Sequence, residues 1–177
     1  MAGSLPGPDE VDGLVMAWRR ERPDLDVAPM EVLSRVSRLA HILDRERAEA
    51  FGAHQLESWE FDVLAALRRA GAPFALTPGW LVRETLVTSG TMTNRVDRLA
   101  ARGLVQRDNH PDDRRGVLVQ LTDSGRAKVD AALTDLLVAE QAILTPLSLV
   151  DQDQLVGILR RLLSRGSIPS RTAKADR

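Results

Sequence analysis

The chain has 177 residues, enough for one domain with a substantial apolar core. Its 24 Lys and Arg against 25 Asp and Glu leave a formal net charge of −1, so the global basic excess that usually marks a nucleic-acid binder is missing. There is no cysteine, which excludes disulfides, thiolate metal sites and a cysteine-oxidation switch, and His41, His54 and His110 lack ligand spacing, so no metal and no cofactor is expected.

Residues 1–8 are small, rich in Gly and Pro, and expected to be disordered. From Asp9 to about Glu21 the pattern is an amphipathic helix carrying Leu14, Val15 and Trp18, ended by Pro23. A second helix begins near Pro29, a residue suited to a first helical turn, and runs through Phe51 with a Val32, Val36, Leu39 stripe. A third spans about Ser58 to Ala70, and Thr77-Pro78 opens a short fourth that reaches Leu86.

The stretch from Val87 to Thr122, VTSGTMTNRVDRLAARGLVQRDNHPDDRRGVLVQLT, is the most informative. Thr88 is an N-cap, Met92, Val96 and Leu99 recur at helical spacing, and Gly103 closes the helix. At about 100° per residue, those apolar residues form one stripe, and Gly90, Thr91, Asn94 and Arg98 gather opposite. Small, hydroxyl, amide and guanidinium groups on an exposed helix face suit a major groove, where Asn pairs with adenine and Arg with guanine; the same face also fits plain solvation. Leu104 to Gln106 then reads as a short strand, His110-Pro111-Asp112-Asp113 as a turn, and Gly116 to Leu121 as a returning strand, which puts Arg114 and Arg115 at a hairpin tip. Paired guanidinium groups there are placed to enter a narrow minor groove. From Arg83 to Arg115 seven arginines stand against Glu84, Asp97, Asp108, Asp112 and Asp113, leaving this segment at +2.

Two helices follow, from Thr122 to about Leu144 and from Leu149 to Arg165, and the tail from Gly166 reads as disordered. No apolar run approaches the roughly 20 residues of a membrane span, and no signal peptide is evident. The expectation is a cytoplasmic protein with no membrane partner. No nucleophile–base pair, phosphate loop or metal set appears, so an enzyme is not expected.

On TSGTMTNRVDRLAARGLVQR, DDRRGVLVQLT and the LTDSG that opens the next helix, the chain resembles the MarR family of winged helix-turn-helix regulators over about Ser58 to Arg165. The resemblance implies a mainly α fold with a small β-hairpin wing. It implies base or phosphate contacts from Thr91, Thr93, Asn94 and Arg98 and minor-groove contact from Arg115 beside Arg114, with Asp113 orienting neighbouring arginines. Residues 57–121 are expected to form the winged lobe within a single domain of residues 9–165. That lobe has little room to cover the apolar sides of the helices in 9–56 and 122–165, so a homodimer in which those helices interleave is expected. It would hold two reading helices about one DNA turn (roughly 34 Å) apart on double-stranded DNA.

A small-molecule site is a further expectation. Asp62 lies at the edge of an apolar helix face near Trp59, Arg95 falls between the exposed and core faces of its helix, and Arg107 leaves the first wing strand nearby. From the residues alone these three are either ion pairs that fix the helix or part of a binding site. The segment MAWRRERPDLDVAPMEV is similar to the extra-helix signature of the urate-responsive MarR subgroup. That resemblance implies an effector site made by Trp18, Asp62, Arg95 and Arg107, with urate or a related purine as the anionic ligand. The function expected is a transcriptional regulator, a repressor released by that ligand; the alternative is a ligand-insensitive architectural DNA-binding protein.

Overall fold

The computed structural model describes residues 7–109 and 117–164. In chain order the elements are α1 (Glu10–Glu21), α2 (Ala28–Gly52), α3 (Ser58–Arg69), β1 (Ala75–Leu76), α4 (Pro78–Thr85), α5 (Ser89–Ala101), β2 (Val105–Asn109), β3 (Val117–Leu121), α6 (Asp123–Leu144) and α7 (Leu149–Ser164). Among the described residues no single helix is long and apolar enough to cross a membrane. By internal packing the chain divides into two units, one up to Leu137 and one from Val138, so that α6 spans the division.

Local chemistry sets the helix ends. The Asp9 carboxylate accepts the backbone N–H groups of Val11 and Asp12 at 2.8 and 3.2 Å, and Asp12 returns the contact to the Asp9 N–H at 2.7 Å. Thr77 caps α4 and Thr88 caps α5 through their hydroxyls. At the far end of α5, Gly103 takes φ 67°. Its N–H bonds to Ala100 and that of Leu104 to Leu99, at 2.9 and 3.0 Å, which satisfies carbonyls the helix would otherwise leave open.

The expected hairpin is present as β2 and β3, within a larger sheet. That sheet has three antiparallel strands in the order β1-β3-β2, rather than the two of a bare hairpin. β1 has two residues, Ala75 and Leu76, paired with Gln120 and Val119. A two-residue strand cannot display the alternation by which strands are read from sequence. β2 also runs on to Asn109, its register with β3 extending from Val105 opposite Leu121 to Asn109 opposite Val117. The turn carrying Asp113, Arg114 and Arg115 lies outside the described residues.

The main core joins α3 (Val63, Leu64, Leu67), Leu81 of α4, Met92, Val96 and Leu99 of α5, Val119 and Leu121 of β3, and Val129 and Leu136 of α6. The start of α6 is pressed onto the end of α5. Thr122 donates its hydroxyl to the Gly103 carbonyl at 2.8 Å, and a Cβ on Gly125 would stand 2.0 Å from the Leu104 carbonyl oxygen. Only glycine permits that approach.

A smaller core holds α1 on α2 through Val11, Val15, Val27 and Met30. Burying two valines is worth about 3 kcal/mol or more, so the apolar contact drives this docking. Arg35 orients it, donating to Asp9 and Asp12 at 2.8 to 2.9 Å. The Arg35 guanidinium holds the Asp9 carboxyl down at about 2. Trp18 is not part of this core and is 45% exposed. In the second unit, Ser148 and Asp151 cap the start of α7, which has no buried residue.

Candidate nucleic-acid interface

Helix α5 is anchored by its apolar stripe, so its other face is fixed in direction. Met92, Val96 and Leu99 are buried, while Gly90, Thr91, Thr93, Asn94 and Arg98 are exposed. Gly90, Thr91, Asn94, Arg95 and Arg98 line a hollow of about 510 Å³, closed on one side by Trp59 of α3. The Thr88 and Thr91 hydroxyls lie 2.9 Å apart, and Thr93 donates its hydroxyl to the Ser89 carbonyl at 3.1 Å. Thr93 is therefore turned back along its own helix, whereas Asn94 makes no hydrogen bond through its side chain among the described residues.

Arg98 is held from outside α5. Its Nη2 donates to Glu57 at 2.7 Å, and its guanidinium lies 4.7 Å from the centre of the Trp59 ring. Trp59 Nε1 donates to the other Glu57 oxygen at 2.7 Å. The indole N–H foremost, and Arg98 after it, hold the Glu57 carboxyl below its usual range.

A second tie between α3 and α5 escaped the sequence reading. Glu60 is the one fully buried charged side chain among the described residues. Arg102, at the end of α5, donates Nη1 to Glu60 Oε2 and Nη2 to the Gln55 carbonyl, the latter at 2.7 Å. The backbone N–H of Glu57 also donates to Glu60 Oε2, at 3.0 Å, while Oε1 has no partner among the described residues. The signal was available in principle, because Glu60 shares the i, i+4, i+7 stripe of Leu64 and Leu67.

The expected ion-pair network of Asp62, Arg95 and Arg107 is not formed, and that expectation is corrected. Asp62 is exposed rather than at the edge of the core, because it shares the outer face of α3 with Ser58 and Arg69. It lines a hollow of about 220 Å³ with Arg47, Arg69, Glu84 and the Thr85–Leu86 turn. Arg95 lies over Trp59, 5.3 Å from the ring centre, and Arg107 pairs with Asp97 at 2.6 Å. Trp18 lines neither Asp62's hollow nor Arg95's.

A model of the MarR family matches residues 54–116. Over 153 residues the chain is 40% identical to the HTH-type transcriptional regulator PecS of Dickeya dadantii, covering 86% of this chain and 92% of that protein. Among solved structures, a mutant MarR from E. coli complexed with operator DNA is 28% identical with a TM-score of 0.63, covering 78% of this chain and 99% of that one. BpsR of Bordetella bronchiseptica, whose structure concerns regulation of DNA binding by 6-hydroxynicotinic acid, is 28% identical with a TM-score of 0.62, covering 74% and 91%.

Proposed function

This chain belongs to the MarR family of DNA-binding transcriptional regulators and is not an enzyme, and from that premise we propose a homodimeric repressor of an inverted-repeat operator, released by a small anionic ligand such as urate. The observation that carries the DNA reading is the outer face of α5, where Thr91, Asn94 and Arg98 stand over a buried Met92, Val96, Leu99 stripe. In this reading Asn94 and Arg98 address base edges, Thr91 and Thr93 contact bases or phosphates, and Arg114 and Arg115 reach the minor groove.

Unpartnered apolar surface supports the dimer. Val32, Val36 and Leu39 on α2 are exposed, as are Leu149, Leu162 and Leu163 on α7, an amount a soluble chain covers with a second copy. The effector site in this proposal is Trp18, Asp62, Arg95 and Arg107. Trp18 supplies an aromatic wall and an N–H, Arg95 and Arg107 supply planar donors for oxo groups, and Asp62 accepts a ring N–H. Within the described geometry the four stand apart, so ligand binding requires Arg95 to leave Trp59.

The test uses a duplex selected by the protein from a random-sequence pool. Urate is expected to release the wild type at concentrations that leave Trp18→Ala and Arg95→Ala bound. Saturable urate binding unchanged in both variants overturns the site, and a duplex that no purine releases favours the ligand-insensitive architectural reading.

A further inference from the structure

We propose that Glu57 and Trp59, at the start of α3, are positioning residues that set Arg98 for sequence readout. The inference rests on the reading of Arg98 as a base-contacting residue. Its basis is a closed triangle of side chains. One Glu57 oxygen takes an Arg98 N–H and the other takes the Trp59 indole N–H, both at 2.7 Å, while the indole ring supports the guanidinium face at 4.7 Å.

The triangle does not stand alone. The Glu57 backbone N–H donates at 3.0 Å to Glu60, whose carboxylate is buried and paired with Arg102, one turn beyond Arg98 on the same helix. Arg98 is thus referred at two points to the packed body of α3.

A guanidinium carries five N–H donors in a rigid plane, and the hydrogen bond to Glu57 uses one of them. The remaining donors include a fork of the kind that matches guanine O6 and N7. Arg98 is also about half exposed, so the fork is open to a ligand. Released from Glu57 and Trp59, the long side chain would sweep a wide volume and take whichever phosphate came near, a contact that carries no sequence information. Fixing the rotamer before DNA arrives removes an ordering penalty from the matched complex alone. The carboxylate therefore acts for discrimination, although its own charge opposes DNA.

The test measures affinity against salt for two duplexes of equal length, one selected by the wild type from a random pool and one of random sequence. Glu57→Gln is expected to weaken binding to the selected duplex about three- to ten-fold. Binding to random DNA should be no weaker, and its salt slope should steepen by up to about 0.9 as the released guanidinium takes a phosphate. Trp59→Leu should give the same pattern with Glu57 intact, which covers the case in which Glu57→Gln folds poorly. In an Arg98→Ala background, Glu57→Gln should no longer reduce the preference for the selected duplex, and loss of the carboxylate charge should act alike on both duplexes. Equal weakening on both duplexes, or an undiminished effect without Arg98, overturns the positioning role in favour of a merely structural one. Unchanged discrimination in Arg98→Ala alone overturns the reading of Arg98 itself, and the proposal with it.

Discussion

Replacing Arg102 with alanine tests whether the α3–α5 tie holds the reading helix in place. The change leaves Glu60, whose side chain is 1% exposed, with only the Glu57 N–H on its charged oxygen. An uncompensated buried charge costs about 3–5 kcal/mol. Arg102 is itself 35% exposed, so water can approach the vacated space and the cost falls at or just below the bottom of that range, about 2–3 kcal/mol. Against a total stability of about 5–15 kcal/mol for an ordinary domain, such a loss is large. Urea unfolding should show it as a lower midpoint with an unchanged slope, measured at one protein concentration because any self-association makes stability depend on it. Changing both partners, Glu60→Leu with Arg102→Met, should recover most of the loss, since an apolar pair leaves no stranded charge. A loss below about 0.5 kcal/mol for Arg102→Ala, or no recovery in the double variant, would refute the reasoning.

Two further predictions follow from the packing of the helix ends. Gly125→Ala places a Cβ 2.0 Å from the Leu104 carbonyl oxygen and should cost about 3 kcal/mol; Gly90→Ala, where an added Cβ meets nothing within 4 Å, should melt no lower than the wild type, and equal melting of the two variants counts against the close approach. The Asp9 carboxyl is depressed from 3.8 to about 2 by Arg35, so its contribution to α1 docking is present above about pH 4 and lost as pH falls through 2. Trp18 emission in a Trp59→Phe, Trp80→Phe background should report that transition, and Arg35→Met should abolish it; a transition unaltered by Arg35→Met would sink the assignment.

Helix α5 was legible in the sequence because everything that defines it is local. Thr88, the Met92, Val96, Leu99 stripe and Gly103 all fall within sixteen residues, and each acts through its own turn of backbone. The strand β1 was not, because its two residues acquire their conformation by pairing with Gln120 and Val119, far along the chain. The choice of Asp62 over Glu60 has a similar cause. Asp62 is surrounded in sequence by apolar residues, but those neighbours point elsewhere on the helix, and Asp62 itself faces out. Glu60 occupies the core stripe, where a carboxylate is tolerable only with a partner, and that partner lies 42 residues away. Periodicity says which way a residue faces, but it cannot say what waits there from another element.

The same distinction governs the effector reading. For Trp18, Asp62, Arg95 and Arg107 to act together, Arg95 must leave the Trp59 ring and Arg107 must leave Asp97. A partly exposed cation–π contact is worth about 0.5–1 kcal/mol, and a surface ion pair about 0–1 kcal/mol. Their combined release costs about 0.5–2 kcal/mol, which lies inside the roughly 1–3 kcal/mol of ordinary allosteric coupling. The route is also specific, since Trp59 supports Arg98 as well as Arg95, and drawing Arg95 away alters the surface against which Arg98 rests. A ligand confined to Asp62's own hollow, held by Arg47 and Arg69, would leave Trp59 untouched and would reach α5 through the Thr85–Leu86 turn. A ligand shifts DNA affinity only through contacts that differ between the two states, so the two routes separate at Arg95: its loss blocks release along the first and leaves release intact along the second.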